Sequence, residues 1–161
     1  MSLLTKPVAD IEWGDVLAFC DRRLPESAIL DYKADLPVHL ANTIVAMANT
    51  HGGMILIGVS EESQTTRPLP PYEGVPIRRG LQETIQQTIA AHVRPLLEAK
   101  VATPVNADAT RCFIVVRVSQ SVLAPHAVDG QAVYVCGQVG RARSAQPCRW
   151  PCSVRRARHC S

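Results

Sequence analysis

The sequence predicts an α/β (α+β) fold, a mixed β-sheet of about four to six strands with about three helices packed on it. Three observations predict it. Helix-like and strand-like periodicities follow one another in the order αβαβαβββ, which is neither a doubly wound alternation nor an all-β chain. A helical pattern, a double glycine and an unbroken apolar run succeed each other directly between Leu40 and Val59, and such a run fits a strand covered on both faces. At 161 residues the chain is long enough for one domain with a real core and too short for two full-sized ones.

Asp10 is the expected N-cap of a first helix, whose stripe of Ile11, Trp13, Val16, Leu17 and Cys20 runs to about residue 22 before Pro25 stops it. Residues 28–34 alternate, with Leu30, Tyr32 and Ala34 on one side and Ile29, Asp31 and Lys33 on the other, as in a half-buried strand. Pro37 suits the first turn of a second helix, in which Leu40, Ile44, Met47 and Ala48 recur at helical spacing. Gly52-Gly53 ends it, because glycine takes the left-handed cap without a Cβ penalty, and residues 54–59 then form the central strand.

Residues 61–78 hold Pro68, Pro70, Pro71, Gly74 and Pro76, which predicts a loop with a brief extended piece around Gly74-Val75. Leu81, Ile85, Ile89 and Val93 mark a third helix that Pro95 ends. Strands follow near residues 101–105, 112–118 and 131–135, with a turn over 106–111 and a hairpin at Asp129-Gly130. The geometry on which any shared site depends is that the strand ending in Lys33 lies beside the strand ending at Val59.

The longest apolar run, Met54 to Ile57, is far short of the roughly 20 residues a membrane-spanning helix needs, and residues 1–7 lack a signal-peptide core. A soluble, cytoplasmic protein without a membrane partner is expected. Only Cys20 and Cys112 fall in the body, whereas Cys136, Cys148, Cys152 and Cys160 crowd the end, which favours a reducing compartment over a disulfide framework. All 14 acidic residues lie between Asp10 and Asp129, so residues 136–161, with six arginines including Arg141 and Arg143, carry +6 and the rest carries −3. The body, residues 1–135, is therefore no nucleic-acid magnet by net charge, and phosphate binding calls for a local patch or this tail. The tail has no Leu, Ile, Phe, Met or Tyr and is expected to be disordered or read out of frame. Its Cys148, Cys152, His159 and Cys160 match the spacing of no compact zinc site. Gly53 to Ser60 fails as a phosphate loop, since Val59 takes the lysine position.

Three segments carry a family resemblance. Glu26-Ser27-Ala28-Ile29-Leu30-Asp31-Tyr32-Lys33 is similar to an E-S-x-x-x-E-F-K strand motif, and residues 44–59, centred on Ala48-Asn49-Thr50-His51-Gly52-Gly53, are similar to an A-N-T-x-G-G-x-I-x-I-G-V core. Pro125-His126 with residues 131–135 resembles a closing P-x…Y-Y-(I/V)-R-x-G strand. Together they resemble the Schlafen AlbA-like family, also labelled divergent AAA. The chain departs from that pattern at Asp31, where the family has Glu, at Ser60-Glu61-Glu62 after the I-G-V, and at Cys136 in place of arginine.

The resemblance implies a nucleic-acid-associated module, regulatory or defence-related, with DNA or RNA as the expected partner; a homodimer is compatible with it. Binding would use Lys33, Asn49, Thr50, Gly52 and Gly53, with Arg141 and Arg143 from the tail. In nuclease members it implies a carboxylate cluster, here Glu26, Asp31 and Glu61 from the Ser60-Glu61-Glu62 corner, acting on RNA. Hard oxygen ligands of that kind hold Mg²⁺ or Mn²⁺, the cofactor expected only in the endoribonuclease case. Glu26, five residues before Asp31, joins it only from the turn ahead of the strand. The plainer alternatives stay open: Asp31 and Lys33 as a same-face ion pair, Asn49 and Thr50 as backbone-bonding residues, Gly52-Gly53 as a cap, and the whole chain as a truncated, non-catalytic interaction fragment.

Overall fold

A computed structural model describes residues 2–134. Among them the main sheet has four strands in the order β1 (Leu30–Lys33), β2 (Gly53–Ile57), β7 (Ile114–Val118), β5 (Ala99–Ala102). β1 and β2 are parallel, with Leu30 opposite Met54 and Lys33 opposite Ile57, while β7 runs antiparallel to both β2 and β5. The sheet is mixed, as the element order predicts. Short pairs complete the fold: β3 (Val75–Pro76) with β6 (Arg111–Cys112), and β4 (Val93–Arg94) with the hairpin of β8 (Ala127–Val128) and β9 (Gln131–Ala132).

Three helices cover the sheet: α1 (Trp13–Cys20), α2 (Leu40–Ala48) and α3 (Leu81–His92). On one face Val16 and Phe19 of α1 pack against Leu30, Tyr32, Met54, Leu56, Phe113 and Val115, with the Trp13 and Phe113 rings stacked at 4.1 Å. On the other, Ile44, Val45 and Met47 of α2 with Ile85 and Ile89 of α3 bury Ile55, Ile57, Ile114 and Val116. Because successive strand residues point to opposite faces, β2 and β7 must be apolar throughout to feed both cores. No described helix is long and apolar enough to cross a membrane.

Several boundaries differ from expectation for identifiable reasons. Asp10 does not cap the first helix but ends a 3-10 turn (Val8–Asp10). Asp15 instead accepts the Glu12 N–H at 2.8 Å, so α1 starts at Trp13. Ser27 and Leu30 exchange main-chain bonds of 2.9 and 3.3 Å, a turn that consumes the first residues expected of β1. α2 ends at Ala48, ahead of the double glycine, and the Gly52 N–H returns to Met47 O at 2.7 Å in left-handed conformation (φ 71°). Val93 turns extended to pair in β4, so α3 stops before Pro95 is reached. The Asp129-Gly130 hairpin is present, both residues at positive φ (48° and 83°).

Lys33 and the end of β2 are neighbours. Lys33 O accepts the N–H of Gly58 at 2.7 Å and of Val59 at 3.1 Å, so the carboxyl ends of the two parallel strands open on one corner.

Candidate functional site

An edge strand leaves alternate main-chain groups unpaired, and in β1 these belong to Leu30 and Tyr32. Ser27 takes those of Leu30, and Glu26 Oε1 accepts the Tyr32 N–H at 2.9 Å. Glu26 stands in the turn ahead of β1, the place from which it reaches Asp31, and its side chain is only 2% exposed. Lys33 Nζ lies 2.6 Å from Asp31 Oδ1 and 3.8 Å from Glu26 Oε1, and donates to Tyr32 O at 3.0 Å. Asp31 Oδ2 is buried with no hydrogen-bond partner among protein groups.

Burial pushes the Glu26 carboxyl up to about 8; the Tyr32 N–H opposes this, while the hydrogen bond to Asp31, its charge and that of Glu61 push further up. Burial beside Asp31 therefore favours the protonated form of Glu26 at neutral pH.

The segment after β2 folds back over this corner. Ser60 O accepts Leu69 N–H and Arg67 O accepts Glu62 N–H, both at 2.8 Å, and Thr66 O accepts Glu26 N–H at 3.0 Å. Arg67 is exposed on that loop, and Arg23, from the turn after α1, reaches Glu62 at 3.7 Å. Two cations that the motifs did not single out thus border the corner. Their charge was readable, but their position depends on a loop returning to residue 26, which periodicity does not report.

Glu61 is exposed and its main chain bridges to Pro68. Among the described residues no three His, Cys, Asp or Glu side chains come together as a metal-holding group. Two of the three expected carboxylates meet, and an ammonium stands between them. As arranged, these residues do not fit a three-carboxylate Mg²⁺ or Mn²⁺ site.

Asn49, Thr50, Gly52 and Gly53 lie at the opposite end of β2 from the Lys33 corner. Asn49 Nδ2 donates to His126 O and Val133 O at 2.9 and 2.8 Å, and its Oδ1 accepts His126 N–H at 2.7 Å. Thr50 Oγ1 donates to Ala46 O at 2.9 Å. A Cβ on Gly52 would stand 2.6 Å from Val118 O, and one on Gly53 2.7 Å from Ile29 O. All four are occupied by internal contacts. Arg141 and Arg143 lie outside the described residues.

The sequence profile described as Schlafen, AlbA_2 matches residues 26–138. This chain belongs to the Schlafen AlbA_2 family. Its match begins at Glu26, so α1 and the Lys6–Asp15 ion pair of 2.6 Å lie outside the matched segment of this Schlafen AlbA_2 chain. Among solved structures it is similar to the N-terminal domain of a RecG-related protein from Nitrosomonas europaea, named after an ATP-dependent DNA helicase. The identity is 18% and the TM-score 0.59, over 94% of this chain and 99% of the other, a likeness of fold. No curated protein matches.

Proposed function

We propose that this Schlafen AlbA_2 domain binds nucleic acid non-catalytically, at the corner where Lys33, Arg23 and Arg67 border the carboxyl ends of β1 and β2. The observation that carries the reading is that the loop bearing Arg67 returns over the carboxyl ends of the parallel strands β1 and β2 beside Lys33, inside the family-matched segment. The neutral Glu26 supports it: a buried acid that keeps its proton leaves the corner less repulsive to phosphate than two carboxylates would. The RecG-related neighbour, named after a DNA helicase, is consistent with a nucleic-acid partner.

The test is binding of labelled DNA and RNA oligonucleotides by the full chain across a salt series. Expected is an affinity that falls linearly on logarithmic axes as salt rises. No binding at low salt removes the reading. Mn²⁺-stimulated RNA cleavage that Asp31→Asn abolishes without loss of folding would replace it with the endoribonuclease alternative.

A further inference from the structure

The two edges of the sheet are closed in different ways. β5 ends the order β1-β2-β7-β5, so half of its main-chain groups face away from β7. Those groups belong to Ala99 and Val101, whose carbonyls are met from α3: Gln86 Nε2 donates to Ala99 O at 2.6 Å and Gln82 Nε2 to Val101 O at 3.1 Å. The spacings match, since four helix residues rise about 6 Å and two strand residues span about 6.8 Å. The N–H groups of Ala99 and Val101 face the same edge, and outside the β7 ladder neither has an acceptor among the described residues. On β1 the capping groups of Glu26 and Ser27 belong to the turn that leads into the strand itself. The caps on β5 are exposed, uncharged side chains of another element, and they can swing aside without moving any main chain.

An open groove of about 410 Å³ runs between α3 and β5, lined by Gln82, Glu83, Gln86, Gln87 and Val101. A sheet edge flanked by a helix, with space between them, is a geometry in which extended peptides add to a sheet as a further strand. The charges beside the edge define what such a strand carries. Val101 packs toward the α3 core, so strand alternation turns Lys100 to the opposite face, where it is exposed. Glu83 is exposed on the α3 side and is the one charged residue lining the groove. Neither Glu83 nor Lys100 forms an ion pair among the described residues. A strand laid against β5 thus meets an unpaired acid on one face and an unpaired base on the other.

We infer that the β5 edge is a peptide-binding site that takes up one extended strand with basic side chains toward Glu83 and acidic side chains toward Lys100. The strand's main-chain N–H groups replace the Gln82 and Gln86 amides at the two carbonyls, and its own carbonyls accept the N–H groups of Ala99 and Val101. Main-chain pairing supplies the affinity, and the alternation of charge supplies the selectivity. The site lies on the opposite edge of the sheet from the Lys33 corner and does not rest on the nucleic-acid reading.

The experiment titrates the full chain into a labelled octapeptide of alternating Lys and Glu and follows fluorescence anisotropy. One control peptide has the same composition in two blocks; the other is the alternating sequence N-methylated at every residue, which keeps the side chains and removes the main-chain donors. Expected is binding of the alternating peptide about tenfold tighter than either control, with slowed amide hydrogen exchange at Ala99 and Val101. Gln82→Ala/Gln86→Ala, confirmed folded by a thermal melt, should bind it more tightly than the parent chain, because no cap has to leave. Equal binding of the N-methylated peptide, or no binding by either protein, overturns the inference. Self-association of the double variant without peptide, with exchange slowed at the same two amides, also overturns it and assigns the edge to a second copy of the chain.

Discussion

Asn49 and His126 bond to each other in both directions: Asn49 Oδ1 accepts the His126 N–H at 2.7 Å and Asn49 Nδ2 donates to His126 O at 2.9 Å. A side-chain amide here imitates a strand. It ties the end of α2 to a segment 77 residues later, and a further bond to Val133 O fixes the chain beyond β9. His126 is itself fully buried, its ring nitrogens 2.8 Å from Pro95 O and 2.6 Å from Ser121 Oγ. Two segments, at His126 and Val133, therefore converge on one asparagine.

Replacing Asn49 with Ala leaves one N–H and two carbonyls without partners, at a cost of about 2–3 kcal/mol in urea denaturation. Asn49→Asp is the sharper probe. It keeps the acceptor for His126 N–H but turns an oxygen toward two carbonyl oxygens, so it should destabilise by a similar amount although it is nearly isosteric. An unaffected midpoint in Asn49→Asp would mean that the clamp contributes nothing.

Glu26 sets a pH dependence. Its folded carboxyl titrates near 8, above the ordinary 4.5, so between these values the folded state binds a proton that the unfolded chain has released. Stability from this group is present in full below about pH 4.5 and is lost as pH rises through about 8. Glu26→Gln keeps an acceptor for Tyr32 N–H and removes the titration. Denaturation at about pH 6 and pH 9 should show the wild type weakening by a few kcal/mol at the higher pH and Glu26→Gln weakening markedly less. Equal losses in the two proteins would place the titrating group elsewhere.

Local rules read the body of the fold well because its strands and helices are short and strictly patterned. The alternation of Leu30 and Tyr32 against Asp31 and Lys33 identifies the faces of β1, and the unbroken Met54–Ile57 run identifies a strand between two cores. The misplaced boundaries are those set by particular hydrogen bonds, which periodicity does not report. α1 starts where Asp15 meets Glu12 and Lys6, and β1 is shortened by a turn that its own alternation does not reveal. The same limit governs the site. The Glu26–Asp31–Lys33 group is local and was visible as a motif, whereas the Asn49 clamp, the loop carrying Arg67 and the glutamine contacts to β5 join residues that only the folded sheet brings together.

Gly58 and Gly74 form the tightest backbone crossing beside the Lys33 corner. Gly58 has φ 97°, a Cβ there would fall 2.6 Å from Gly74 Cα, and Gly58 O accepts the Gly74 N–H at 3.0 Å. Neither chain can retreat, because Lys33 O holds Gly58 on one side and β3–β6 pairing fixes residue 75 on the other. Gly58→Ala should cost more than about 3 kcal/mol, from a left-handed backbone and a backbone clash together. Gly130 supplies the control: its φ is 83°, yet nothing lies within 4 Å of the added Cβ, so Gly130→Ala meets only the conformational penalty of about 1 kcal/mol. Chemical denaturation of the two variants side by side separates crowding from backbone strain. A Gly58→Ala variant no weaker than Gly130→Ala would show that the crossing yields freely, and the corner would then be too pliable to hold Lys33 and the returning loop in register.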